Sequence, residues 1–149
     1  MSRTHLRWWL WVSLTVAGGV TAGFFGFWNL LATHDVTYLG FTVVALYAAS
    51  TLWLGAKIRA GDTNYDFVLH IAKVMSYLGI LGTFIGLAIA FQAMSNLPPD
   101  GSIPATFKAA FMSGVTTKFY TSIIGVVGFL ALEMQVRILE AGGKEEVGI

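Results

Sequence analysis

Four stretches of this chain are apolar for about the length of a bilayer crossing, and short polar breaks separate them. Against the roughly 20 residues that cross a hydrocarbon core of about 30 Å, the pattern predicts membrane helices over residues 8–31, 38–55, 71–94 and 117–139. The first opens on Trp8, Trp9 and Trp11, which suit an interfacial aromatic belt. Arg3 and Arg7 before an apolar run, with Ala17-Gly18-Gly19 as a cleavage-like site, raise the alternative of a signal peptide. Hydrophobicity continues through Phe24-Phe25-Gly26-Phe27-Trp28, past the roughly 7 to 15 residues of a signal core, so the stretch reads as an uncleaved span.

The breaks carry their own chemistry. Residues 96–104 hold all three prolines and Gly101. Proline lacks the N–H and clashes with the preceding turn, so a tight hairpin is expected between the third and fourth spans. Ala60-Gly61-Asp62-Thr63-Asn64 breaks the chain between the second and third, with Asp62 or Thr63 placed to cap the helix that follows. Residues 140–149 read as a frayed polar tail. Arg3 and Arg7 precede the first span, Lys57 and Arg59 follow the second, and Arg137 and Lys144 end the fourth, whereas His34-Asp35 and the 96–104 loop lack Lys and Arg. Cationic loops stay in the cytoplasm, which puts both termini and the 56–70 connection inside and the two short loops outside.

Composition agrees with that class and narrows the function. The chain is 56% hydrophobic and only 11% charged, with a mean hydropathy of +0.70, far from the roughly 25% charged residues of a soluble domain. It reads as an all-α polytopic membrane protein, a single membrane domain of 149 residues. A net charge of +1 gives no case for nucleic-acid binding. His5, His34 and His70 are scattered along the chain and cysteine is absent, so no metal site has proper ligand spacing. No Ser–His–Asp set falls at one membrane depth and no glycine-rich phosphate loop occurs, so neither an enzyme nor a cofactor is expected.

Two faces stand out within the last two spans. Gly79, Thr83, Gly86 and Ala90 repeat at helical spacing along the third, with Gly82 beside them. Thr117, Thr121, Gly125 and Gly128 do the same along the fourth. Small-residue stripes mark protein-facing or pore-facing surfaces, because membrane helices have little hydrophobic drive to associate unless their backbones come close. The residues alone favour packing of the two spans on each other, with each hydroxyl bonded to the carbonyl one turn back.

Leu81-Gly82-Thr83-Phe84-Ile85-Gly86, followed after a short loop by Gly114, Thr121, Ser122 and Gly125, resembles the MotA/TolQ/ExbB proton-channel family over roughly residues 75–139. The resemblance implies a homo-oligomeric ring, usually a pentamer, in the bacterial inner membrane. The ring would surround a MotB/TolR/ExbD-like single-span partner, itself a dimer, and convert proton flow into rotation. It assigns Thr83 and Ser122 to the ion pathway, with Thr121 as the neighbouring hydroxyl and Thr117 nearby. Gly79, Gly82, Gly86, Gly125 and Gly128 would form the packing or pore face. A hydroxyl both donates and accepts hydrogen bonds without adding charge, which suits proton passage between apolar walls. The stripes hold no carboxylate, so the implied proton carrier is an aspartate on the partner helix. Where many TolQ- and ExbB-like members carry an acidic residue ahead of the second hydroxyl, this chain has Thr117-Lys118.

Charges inside a span are costly and attract a functional reading. Glu133 precedes Arg137 by one turn, the favourable order for an ion pair, and is either a structural bridge or an ion exit. Lys118 either snorkels to headgroups or shapes the inlet. The expected function is thus a ring subunit of an ion-driven motor embedded in lipid. The alternative is a passive membrane scaffold whose small-residue faces serve only assembly.

Overall fold

The computed structural model of the chain describes residues 2–34, 38–94 and 105–147. Its elements are five α-helices: α1 (Arg3–Phe24), α2 (Phe27–His34), α3 (Leu39–Ala60), α4 (Asp66–Met94) and α5 (Ala105–Val147). Three of them are long and apolar enough to cross a membrane: α3, α4 over Asp66–Gln92, and α5 over Phe119–Gly143. At about 1.5 Å per residue α5 is roughly 65 Å long, about twice a hydrocarbon core, so it projects well beyond any single crossing. The expected 96–104 hairpin lies outside the described residues.

The first apolar stretch is two helices, which pass as one span only when taken together as a bent pair. Gly26 has φ +75, a left-handed conformation that glycine takes without a Cβ penalty. The chain turns there, and α1 and α2 form a pair bent by 76°. The Trp28 indole folds back over α1, donating Nε1–H to the Gly19 carbonyl at 3.1 Å, with its ring beside Gly23. An apolar run shows composition but not the sign of one backbone angle, and this reversal depends on that angle.

The α3–α4 connection is tightly bonded. Gly61, again left-handed, ends α3 in a Schellman arrangement: its N–H reaches the Ile58 carbonyl and the Asp62 N–H reaches Lys57. The Asn64 side chain accepts from the Asp66 N–H at 3.0 Å, so Asn64 caps α4 where Asp62 or Thr63 was expected. Asp62 instead accepts from the Asn64 N–H and pairs with Lys57 at 2.8 Å. Its hydrogen bond to Lys57, helped by the Asn64 N–H, holds its carboxyl below the ordinary carboxylate range.

The core forms where α1, α3 and α4 meet α5. Leu54, Met75, Leu132 and Leu139 are fully enclosed, and Trp8 is the largest side chain among them. Trp8 lies across Gly55, where any Cβ would collide with the indole, and donates Nε1–H to the Thr51 carbonyl at 3.0 Å. The start of α1 also packs on the end of α5. Arg7 Nη1 donates to the Ile138 carbonyl at 3.4 Å, and Gly142 backs onto Arg7 and Thr4. α5 continues as helix through to Val147, where the sequence suggested a frayed tail.

At the α4–α5 contact, backbone meets backbone. A Cβ on Gly125 would lie 2.8 Å from both the Gly79 Cα and the Met75 carbonyl oxygen, so backbone would have to move. Gly125→Ala is expected to destabilise the fold by about 1–3 kcal/mol, read as a shifted unfolding midpoint in detergent micelles. Gly18→Ala, which meets nothing within 4 Å, should be neutral or stabilising by up to about 1 kcal/mol. Equal effects at the two positions would refute the close approach.

Candidate functional site

Small residues bring α4 and α5 together, and the order of contacts shows the helices run antiparallel. Gly82 faces the Thr121 methyl, Gly79 faces Gly125 and Ser122, and Met75 reaches Gly128. The buried stripe of α4 is Ala72, Met75, Gly79, Gly82, Gly86 and Ala90, each three or four residues from the next. On α5 the positions that meet this stripe are Thr121, Ser122, Gly125 and Gly128. The two stripes read from the sequence therefore touch each other within one chain. Gly128 turns slightly aside, toward Val43 of α3 as well as Met75.

The hydroxyls occupy three different settings. Thr83 is half-buried at the edge of the stripe, and its Oγ1 donates to the Gly79 carbonyl at 3.3 Å. Thr121 is 1% exposed, and its Oγ1 has no hydrogen-bond partner. Ser122 is half-buried, with its Cα and carbonyl oxygen against Gly79. The side chains of Thr117 and Lys118 lie outside the described residues.

Helix geometry gives Thr83 and Ser122 a common side. Gly82 and Thr121 face each other, and Gly82 also touches Leu39 of α3. One residue onward turns about 100° around each helix, and in an antiparallel pair those two turns lead to the same side. Thr83 and Ser122 thus flank the Gly79–Gly125 contact together, on the side of the pair away from α3. The outer face of α4 is different. Val74, Tyr77, Leu78, Ile80, Leu81 and Phe84 line an open, almost wholly apolar groove of about 380 Å³.

Toward the start of α4 and the end of α5 the site becomes charged. Glu133 and Arg137 form an ion pair at 2.6 Å, with side chains 28% and 74% exposed. Such a solvent-screened pair contributes little to the stability of the helix.

One polar group was not singled out in the sequence. Gln135 is 0% exposed, accepts from Thr51 Oγ1 at 3.1 Å and leaves its Nε2 unpaired. Its spacing from Thr121 and Gly128, 14 and 7 residues, puts it on the same strip of α5, a signal that counting only small residues and hydroxyls passed over.

No family model matches the chain, and neither does a curated protein or a solved structure.

Burying a hydroxyl without a partner costs about 1–3 kcal/mol, whereas an apolar group of the same shape carries no such cost. Thr121→Val is therefore expected to leave the unfolding midpoint unchanged or to raise it. A clear drop would show that the Thr121 hydroxyl is bonded within the folded chain.

Proposed function

We propose that this chain is the ring-forming subunit of an ion-driven membrane motor, passing ions, most simply protons, beside the hydroxyls of α4 and α5. The supporting observation is that Thr83 and Ser122, from two helices, share one side of the α4–α5 pair beside its closest backbone contact. The motif resemblance independently assigns these two positions to the pathway. In the proposed assembly this side of each subunit faces the axis. The axis holds a single-span partner helix whose aspartate takes up and releases the proton. Both termini and the α3–α4 connection lie in the cytoplasm of a bacterial inner membrane, consistent with the placement of Lys57, Arg59 and Arg137.

The division of labour follows from the chemistry. A carboxylate is the only group that carries the ion, and the hydroxyls offer it a site that both donates and accepts. Gly79 and Gly125 keep the helices close, which leaves the ring wall thin and stiff at that depth. One elementary charge crossing 100 mV releases about 2.3 kcal/mol, so a few ions per step supply enough free energy to move a packed helix.

A second reading, a passive scaffold, draws on the same contact. The small residues are already used within the chain, and the Thr83 hydroxyl is bonded to its own helix. Thr83→Val and Ser122→Ala distinguish the two, because each keeps approximate shape and removes the hydroxyl. For a motor subunit, proton uptake driven by an imposed potential into vesicles holding the native complex should fall about tenfold, equivalent to about 1.4 kcal/mol, while the complex purifies intact. Unchanged uptake in both variants, or loss of assembly in place of uptake, would favour the scaffold.

A further inference from the structure

The groove on the outer face of α4 has a cationic end. Tyr77, Ile80, Leu81 and Phe84 are exposed along it, and its volume of about 380 Å³ falls within the range of ligand sites, roughly 300–1,000 Å³. Lys73 and His70 stand four and seven residues before Tyr77 on the same face, and both are exposed. Neither makes a hydrogen bond or an ion pair among the described residues. Helical side chains lean toward the helix N-terminus, so Tyr77 and Lys73 both tilt toward the start of α4. Neighbouring rings give the depth. Trp53 and Phe67 meet edge to face with centroids 4.4 Å apart, and both are exposed where α3 ends and α4 begins. An exposed Trp suits the headgroup boundary. Lys73 lies six residues beyond Phe67, about 9 Å deeper, where a lone ammonium is costly unless its stem carries it to an anion.

We propose that this groove binds an anionic phospholipid of the leaflet in which α4 begins, with its phosphate on Lys73 and an acyl chain lying along Tyr77 to Phe84. The site belongs to the folded chain and does not depend on the motor reading. Charge complementarity selects the headgroup. A phosphate satisfies an ammonium that no side chain pairs, and the Tyr77 phenol donates to the same phosphate from one turn further in. The acidic groups nearby do not take that place. Asp62 is held by Lys57 and Glu133 by Arg137. Asp66, exposed seven residues before Lys73, lies about 10 Å away along the helix, a separation that salt largely screens. Ile80 and Leu81, between the Tyr77 and Phe84 rings, give the acyl chain its apolar floor.

The chain contains no cysteine, so a fluorophore can be attached at a single introduced thiol. Ala88→Cys sets it one turn beyond Phe84 on the same exposed face, next to the groove without filling it, and Ile85→Cys serves if that variant does not assemble. Leu14→Cys, on the exposed face of α1, is the control. The full chain, with whatever it assembles with, is reconstituted in phosphatidylcholine vesicles that contain a small fraction of spin-labelled phosphatidylglycerol or, separately, of phosphatidylcholine labelled at the same acyl position. The groove fluorophore is expected to be quenched by the anionic lipid at an about fivefold lower concentration than by the neutral one, and the Leu14 fluorophore equally by both. Lys73→Gln should abolish the preference, and Lys73→Arg should keep it. Equal quenching by the two lipids beside the groove, or a preference that survives Lys73→Gln, would overturn the site. Resistance to both lipids would overturn it as well, by showing that another copy of the chain or a protein partner covers the groove.

Discussion

The close approach of Gly79 to Gly125 is the constraint that the rest of the structure depends on. With neither residue carrying a Cβ, the two backbones meet at a distance where a single methyl would lie 2.8 Å from main-chain atoms. Close packing lets dispersion act over many atom pairs, which is the main attraction left to helices in lipid. The crossing also sets register. Once Gly79 faces Gly125, Gly82 must face Thr121 and Met75 must reach Gly128, and the antiparallel order leaves Thr83 and Ser122 on one side.

Around that contact, the other helices brace α5. Trp8 joins α1 to α3 by lying over Gly55 and bonding the Thr51 carbonyl, while the Thr51 hydroxyl joins α3 to α5 through Gln135. Hydrogen bonds between helices have few competitors where water is scarce, so this chain of three groups ties the bundle together at one level. The same scarcity makes the unpaired Gln135 Nε2 and Thr121 Oγ1 costly. One of these atoms lies in the brace and the other in the α4–α5 contact, so the fold tolerates unsatisfied polar atoms at both.

The functional reading uses what this packing leaves over. Groups that point straight into the contact, such as Thr121, are sealed by Gly82 and unavailable to an ion within one chain. Groups one position further round are half-buried, close to the rigid contact yet open along one flank. A flank of this kind is suited to an ion path, because its walls are held by backbone contact while its polar groups face outward. Apolar side chains on the far face of α4 suit lipid or a neighbouring helix instead.

Much of this architecture was legible in the chain. Long apolar runs identify α3, α4 and the apolar part of α5 because crossing a bilayer sets a length and composition that few other structures share. The glycine spacing marked the faces that meet, since small residues at three- and four-residue intervals have few uses other than close contact. Tertiary structure decided the remainder. The left-handed Gly26 and the Trp28 indole folding onto α1 split the first stretch, and neither leaves a trace in hydropathy. Arg7 and Thr4 against Gly142 accompany the helical course of what looked like a tail, through a contact between opposite ends of the chain. Which hydroxyl is sealed and which lies on the flank depended on a rotation of one residue, about 100°. Periodicity places residues on a face, but only the partner helix determines where the centre of that face lies.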